Sequence, residues 1–250
     1  MMKRILTMAL LAVSLLAGAA EKMGIFSQDT QSYLVRGKGY SFLFFEGHMF
    51  PRRFTLDKAG EMCTVRNHDF IRYKNRTYYL NLDRWTKHRI ISNTSQEFII
   101  EFEGKFCCNE RPLADHLKFV TAIYRYTFKY DVPGFHVAGR LVKAPDFKET
   151  IRLPQTLNFT WAENFVTQVK RGDRGGFEAV KRNKYYDVPQ KGLTFAGKQF
   201  SVTIRGRRSI GIVEPKGWMS KVMMNAGLWS YDWKTPEVRY ETQLLLGDGK

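Results

Sequence analysis

At 250 residues, with 44% hydrophobic and 14% aromatic content, the chain has apolar material for one large domain or two smaller ones. That composition excludes an intrinsically disordered protein. A formal charge of +16 favours polyanionic partners over acidic proteins or neutral surfaces.

The first residues have the pattern of a secretory signal. Lys3 and Arg4 precede an apolar run, Ile5–Leu16, and Ala17-Gly18-Ala19 closes it with small residues. Cleavage is expected after Ala19, which leaves a single domain over 20–250 in a secreted or periplasmic protein. The run is short for a membrane span, and no later segment approaches that length. Losing Lys3 and Arg4 takes two positive charges and leaves +14. Outside the cytoplasm the available polyanions are chiefly acidic polysaccharides and lipid head groups, so nucleic acid is not an expected partner.

From Gln31 onward the sequence reads as short strands separated by turns. Tyr40–Glu46 holds Phe42, Leu43, Phe44 and Phe45, a run suited to a strand buried on both faces. Arg52–Leu56 and Glu61–Val65 flank one turn, and Phe70–Tyr73 and Thr77–Leu82 flank another. Glu97–Phe106 alternates, with Phe98, Ile100 and Phe102 on one side and Glu97, Ile99, Glu101 and Glu103 on the other.

Phe119–Val142 is the stretch around which the rest is arranged. It reads as two strands joined by a turn at Asp131-Val132-Pro133-Gly134. If Tyr130 pairs with Phe135, one face carries Tyr124, Tyr126, Phe128, Tyr130, Phe135, Val137 and Leu141. The other carries Arg125, Thr127, Lys129, His136 and Arg140. Arg125 is then expected opposite Arg140, and Lys129 opposite His136.

Beyond Pro145 the expected elements are a polar-aromatic segment at Pro154–Trp161 and a basic, glycine-rich loop at Lys170–Asn183. A hairpin of Phe200–Ile204 with Ser209–Val213 follows. One or two helical turns are expected at Met219–Ala226, and a last strand at Val238–Leu246. The predicted fold class is all-β: a large antiparallel β-sandwich, or supersandwich, with little helix.

Cys63, Cys107 and Cys108 are an odd number for an oxidising compartment. A bridge from Cys63 to one of the pair and three buried thiols are both open. No C-x-x-C spacing occurs, and neither a metal nor another cofactor is expected.

The strand at Ile123–Val142, with Arg-Tyr-Thr-Phe ahead of a Pro-Gly turn, follows the acidic alternating strand at Glu97–Gly104. This succession resembles the supersandwich of galactose-mutarotase-like proteins and the β-sandwich domains attached to polysaccharide lyases. In strand rhythm the likeness runs from Phe42 to Leu246. It implies a sugar held on the concave face of one sheet. No catalytic motif of such families aligns onto the chain residue by residue.

The cationic face of the hairpin is the candidate site. Arg125, Lys129 and Arg140 are candidate ligands for a uronate or sulfate, since like charges side by side are stable only with an anion between them. The alternative is that Glu101, Glu103 or Asp146 neutralises them. His136 is the candidate general base, because an imidazole titrates near neutrality. Trp229, Tyr231 and Trp233 alternate along one strand face and form a candidate stacking platform for sugar rings, unless they belong to the core. Three functions follow: a carbohydrate-binding or carbohydrate-processing protein acting on acidic polysaccharide, a lyase cleaving uronate-containing glycans by β-elimination, and a non-catalytic envelope interaction protein.

Overall fold

The computed structural model describes residues 21–45, 48–58, 60–67, 70–80, 87–108, 115–162, 167–172, 175–181, 183–206, 209–213 and 221–249. The expected signal segment lies outside them. The strands in chain order are β1 (Gly24–Ser27), β2 (Ser32–Gly37), β3 (Tyr40–Phe44), β4 (Pro51–Leu56), β5 (Gly60–Asn67), β6 (Phe70–Tyr73) and β7 (Arg76–Tyr79). Next come β8 (Lys87–Asn93), β9 (Glu97–Cys108), β10 (Asp115–Lys129), β11 (Val132–Lys143), β12 (Ile151–Ala162), β13 (Gln168–Arg171) and β14 (Glu178–Ala179). The last are β15 (Lys184–Asp187), β16 (Leu193–Ala196), β17 (Phe200–Arg205), β18 (Ser209–Val213), β19 (Lys221–Trp233) and β20 (Glu237–Asp248).

All the pairings are antiparallel, and they make two ribbons. One runs β1-β2-β3-β4-β5-β12-β19-β18-β15. The other runs β8-β9-β10-β11-β20-β17-β16-β13-β14. The hairpin β6–β7 stitches them together, pairing with β12 through Arg72 and with β9 through Tyr79.

Alternation decides which side of each ribbon is buried. Phe42 and Phe44 on β3 and Phe54 on β4 meet Phe102, Tyr126, Phe128 and Phe135 from the second ribbon, with ring centroids 5.2–6.0 Å apart. All but Phe135, at 4%, are 0% exposed. This aromatic layer is the core, and its mostly edge-to-face geometry suits ring quadrupoles. Its burial fixes the outward direction of every intervening residue on β9, β10, β11 and β20.

The expected faces of the hairpin are the observed ones, apart from one residue and the register. Tyr124, Tyr126, Phe128, Phe135, Val137 and Leu141 are buried, while Tyr130 is 40% exposed, beyond the end of β10. The chain reverses at Tyr130-Asp131, so that Lys129 pairs with Val132 after a bulge at Phe128. Pro133 and Gly134 already belong to β11. Arg125 therefore faces Ala138, Arg140 faces Ile123 and His136 faces Thr127, which corrects the expected Arg125–Arg140 and Lys129–His136 pairs.

Other expectations also change. Tyr40–Phe44 is buried on alternate residues, with Leu43 half-buried, because β3 is covered on one face. Phe200–Arg205 and Ser209–Val213 are strands but not a hairpin: β17 lies between β16 and β20, and β18 between β15 and β19. From Lys221 the expected helical turns are strand, because β12 and β18 pair with β19 on both sides and pairing overrides local preference. The expected basic loop contributes β13 and the short β14. Cys107 and Cys108 are both buried as thiols rather than bridged to Cys63. Among the described residues no helix is long and apolar enough to cross a membrane.

Candidate functional site

The outward face of the second ribbon is a lattice of charged rows, each row crossing the strands. The first row is Lys87, Glu103, Ile123, Arg140 and Arg239, from β8, β9, β10, β11 and β20. The second is Arg89, Glu101, Arg125, Ala138 and Glu241. The third is Ser92, Ile99, Thr127, His136, Gln243 and, on β17, Arg205.

Two glutamates in this lattice each sit between two arginines. Glu101 accepts from Arg125 Nε at 3.1 Å and Nη2 at 2.8 Å, and from Arg89 Nη2 at 3.0 Å. Glu237 accepts from Arg140 Nε at 3.2 Å and Nη2 at 3.0 Å, and from Arg239 Nε. The hydrogen bonds from Arg140 and then Arg239 pull the Glu237 carboxyl down to about 2. The bond to Glu237 in turn holds the Arg140 guanidinium above its ordinary range. Each Arg–Glu–Arg group keeps one positive charge in excess. The side chains of Arg125 and Arg140 remain about half exposed, so each presents a guanidinium edge to solvent.

His136 lies in the third row of the same face, beyond both groups. Its Nε2 is 3.3 Å from Glu241 Oε2, two residues along β20 from its direct partner Gln243. When Nε2 carries the proton it donates to the carboxylate, and Nδ1 is left as an acceptor. The imidazole is 39% exposed and Glu241 is 74% exposed, so a ligand reaches both. Gln243 also accepts from Arg205 Nη1 at 3.3 Å, which extends the polar surface onto β17.

Of the residues expected from sequence, Arg125, Lys129, His136 and Arg140 share this one face. Arg125 and Arg140 are occupied by carboxylates, the first by Glu101, as the alternative expectation had it, and the second by Glu237. Lys129 is exposed opposite Glu97. Glu237 and Glu241 escape sequence reasoning. Alternation along Val238–Leu246 turns them outward, but nothing local tells that β20 lies beside β11.

The aromatic platform does not form as expected. Trp233 is fully buried, with Lys143 Nζ 5.0 Å from its ring centroid, and cannot stack on a sugar. That Lys143 donates to the carbonyls of Trp233 and Glu149, each at 2.8 Å, and burial pushes its ammonium below the ordinary lysine range. Trp229 and Tyr231 belong to β19, Tyr231 opposite Leu153, but their side chains lie outside the described residues. Among the described residues no cluster has the makings of a metal site. A separate cavity of about 280 Å³ opens between β1, β2 and the turns at Gln96 and Tyr130, lined in part by Lys22 and Arg36.

Two antiparallel ribbons around an aromatic core, one with a polar outward face, define a galactose-mutarotase-like β-sandwich. The galactose 1-epimerase of Lactobacillus acidophilus NCFM is similar over 93% of this chain and 100% of its own, with a TM-score of 0.55 and 6% identity. The GalM/aldose epimerase homologue of C. elegans is similar over 92% and 100%, with a TM-score of 0.51 and 8% identity. In the GH36 α-galactosidase AgaB of Geobacillus stearothermophilus the likeness covers 90% of this chain but 41% of that one, with a TM-score of 0.56 and 8% identity. At such identities the likeness is one of fold. No family model matches the sequence, and no curated protein does either.

Proposed function

We propose that this is an exported protein that binds and processes a carbohydrate carrying an acidic group. The sugar lies on the outward face of β9, β10, β11 and β20, with His136 as the catalytic residue. The observation that carries this reading is the His136–Glu241 pair, solvent-accessible and on the same outward face as two Arg–Glu–Arg groups. The fold is one in which solved proteins are named as a galactose 1-epimerase and an α-galactosidase.

The chemistry that asks least of these residues is interconversion of sugar anomers. An imidazole takes the proton of the anomeric hydroxyl. The bond from C1 to the ring oxygen breaks as the C1 carbonyl forms, and the proton returns to the ring oxygen. Rotation about C1 and reclosure then give the other anomer. The carboxylate of Glu241 orients the ring, and the guanidinium edges of Arg125 and Arg140, each shared with a glutamate, meet the acidic group. β-Elimination from a uronate has weaker support. It needs the sugar carboxylate fully neutralised as the C5 proton leaves, and Arg125 and Arg140, each shared with a glutamate, attract an acidic group but supply only part of a charge.

The test is magnetisation exchange between the anomers of galactose, glucose and galacturonate. The wild type is expected to accelerate exchange, most for the acidic sugar, and His136→Ala to lower the rate about a hundredfold or more. Equal rates with wild type and His136→Ala would exclude the assignment. Ultraviolet absorbance from an unsaturated uronate on pectic, alginate or glycosaminoglycan substrates would shift the reading to the lyase.

A further inference from the structure

We infer that the lobe built by β13, β15, β16 and β17 is a second saccharide contact, which grips the chain of an acidic polysaccharide through cations that no carboxylate neutralises. The inference rests on the carbohydrate reading above but concerns a different surface. From Lys170 to Arg208 the sequence holds eleven Lys and Arg against three Asp and Glu, an excess of eight out of the whole chain's +16.

The fold gathers these cations. Tyr186, buried on β15, has Arg171 Cζ 5.8 Å and Lys184 Nζ 5.6 Å from its ring centroid. Its hydroxyl accepts from the backbone N–H of Lys181 at 2.6 Å. One buried ring thus holds three basic residues from two strands and a loop in one place. Lys191 lies beside them, because its Cβ is about 3.7 Å from where a side chain at Gly172 would begin, and Arg205 Nε donates to its carbonyl at 3.0 Å.

What separates this lobe from the sheet face is the missing countercharge. On the face, Lys87, Arg89, Arg125, Arg140 and Arg239 each meet a glutamate. In the lobe, Arg171, Lys181, Lys184 and Arg205 have no carboxylate in ion-pair distance among the described residues. The ring of Tyr186 offsets part of their repulsion through cation–π attraction. The remainder is relieved by an anion. Tyr185 is 63% exposed on the other side of β15 from Lys184, and among the described residues β15 pairs with β18 alone, so a saccharide chain crossing that edge meets the cations on one side and a flat ring on the other. Regularly spaced carboxylates or sulfates on a saccharide chain match both features.

The experiment measures binding of the full chain to immobilised alginate and dextran sulfate across a salt series. The lobe variant is Arg171→Ala/Lys181→Ala/Lys184→Ala. Its control, Lys58→Ala/Lys74→Ala/Lys148→Ala, removes the same charge elsewhere. The lobe variant is expected to bind about tenfold more weakly or worse, with a shallower salt dependence, while the control stays within a factor of two or so of wild type. Equal losses in both variants overturn the inference, because net charge alone would explain them. Duplex DNA or phosphatidylglycerol vesicles held as tightly as the polysaccharides overturn the saccharide assignment. Anomer exchange reports separately on the face: if the lobe variant keeps it and loses alginate, the two surfaces are distinct, and if His136→Ala keeps alginate, the grip stands whatever becomes of the catalytic reading.

Discussion

Glu237 takes hydrogen bonds from Arg140 and Arg239, which hold its carboxyl at about 2, below the usual carboxylate range. A folded-state value lower than the unfolded one means that the unfolded chain binds the proton first. The contribution of Glu237 is therefore fully present above pH 5 or so and is lost as the pH falls from about 4.5 through about 2. Both partners are exposed at the surface, so the effect is small. Glu237→Gln is expected to melt slightly below wild type at pH 7 and together with it at the lowest pH that the fold survives. A gap that persists or widens in acid would show that the pair does not titrate as its geometry implies. Single residues also mark where sequence reading stops. The outward direction of Arg125 and His136 is legible from alternation alone, and Glu101, 24 positions before Arg125 on the preceding strand, is a foreseeable neutraliser, but Glu241 is 105 positions from His136 and no local pattern encodes that distance.

At the level of elements, alternation is legible and register is not. Phe98, Ile100 and Phe102 declare the buried side of β9, and Tyr240, Thr242, Leu244 and Leu246 that of β20. The reversal between β10 and β11 is hidden because Pro133 and Gly134 resemble turn residues while serving another purpose. Gly134 has φ +149°, and any side chain there would run into the backbone carbonyl of Leu244 on β20. The glycine is needed for close approach of β11 to β20, the two strands that carry His136 and Glu241. Gly134→Ala must either strain its backbone or push the strands apart, at a cost of about 2–4 kcal/mol. In a denaturant titration its midpoint is expected to fall, and anomer exchange to fall with it. An unchanged midpoint would mean that the β11–β20 spacing is not fixed there.

For the molecule as a whole, the balance of charge sets a dependence on salt. Raising ionic strength from about 0.01 M to about 1 M shortens the screening length from about 30 Å to about 3 Å. Two effects then compete. Screening weakens the Arg–Glu–Arg groups of the sheet face, which destabilises, and weakens repulsion among the cations of the β13–β17 lobe, which stabilises. Glutamate pairs at 2.8–3.2 Å are no longer than the shortest screening length or so, and they lose little. The lobe cations around Tyr186 have a ring rather than a carboxylate between them, and the chain's excess of positive charge adds a longer-ranged repulsion that screening removes first. Relief of repulsion therefore outweighs the weakening of the glutamate pairs. The melting temperature of the wild type is expected to rise with sodium chloride, and that of Arg171→Ala/Lys181→Ala/Lys184→Ala to start higher at low salt and rise less. Alginate added at low salt is expected to raise the wild-type melting temperature and leave that of the triple variant nearly unmoved, since a bound polyanion supplies the same compensation that the salt does. A melting temperature that falls with salt would place the controlling charges on the sheet face, among the paired glutamates, and not in the lobe.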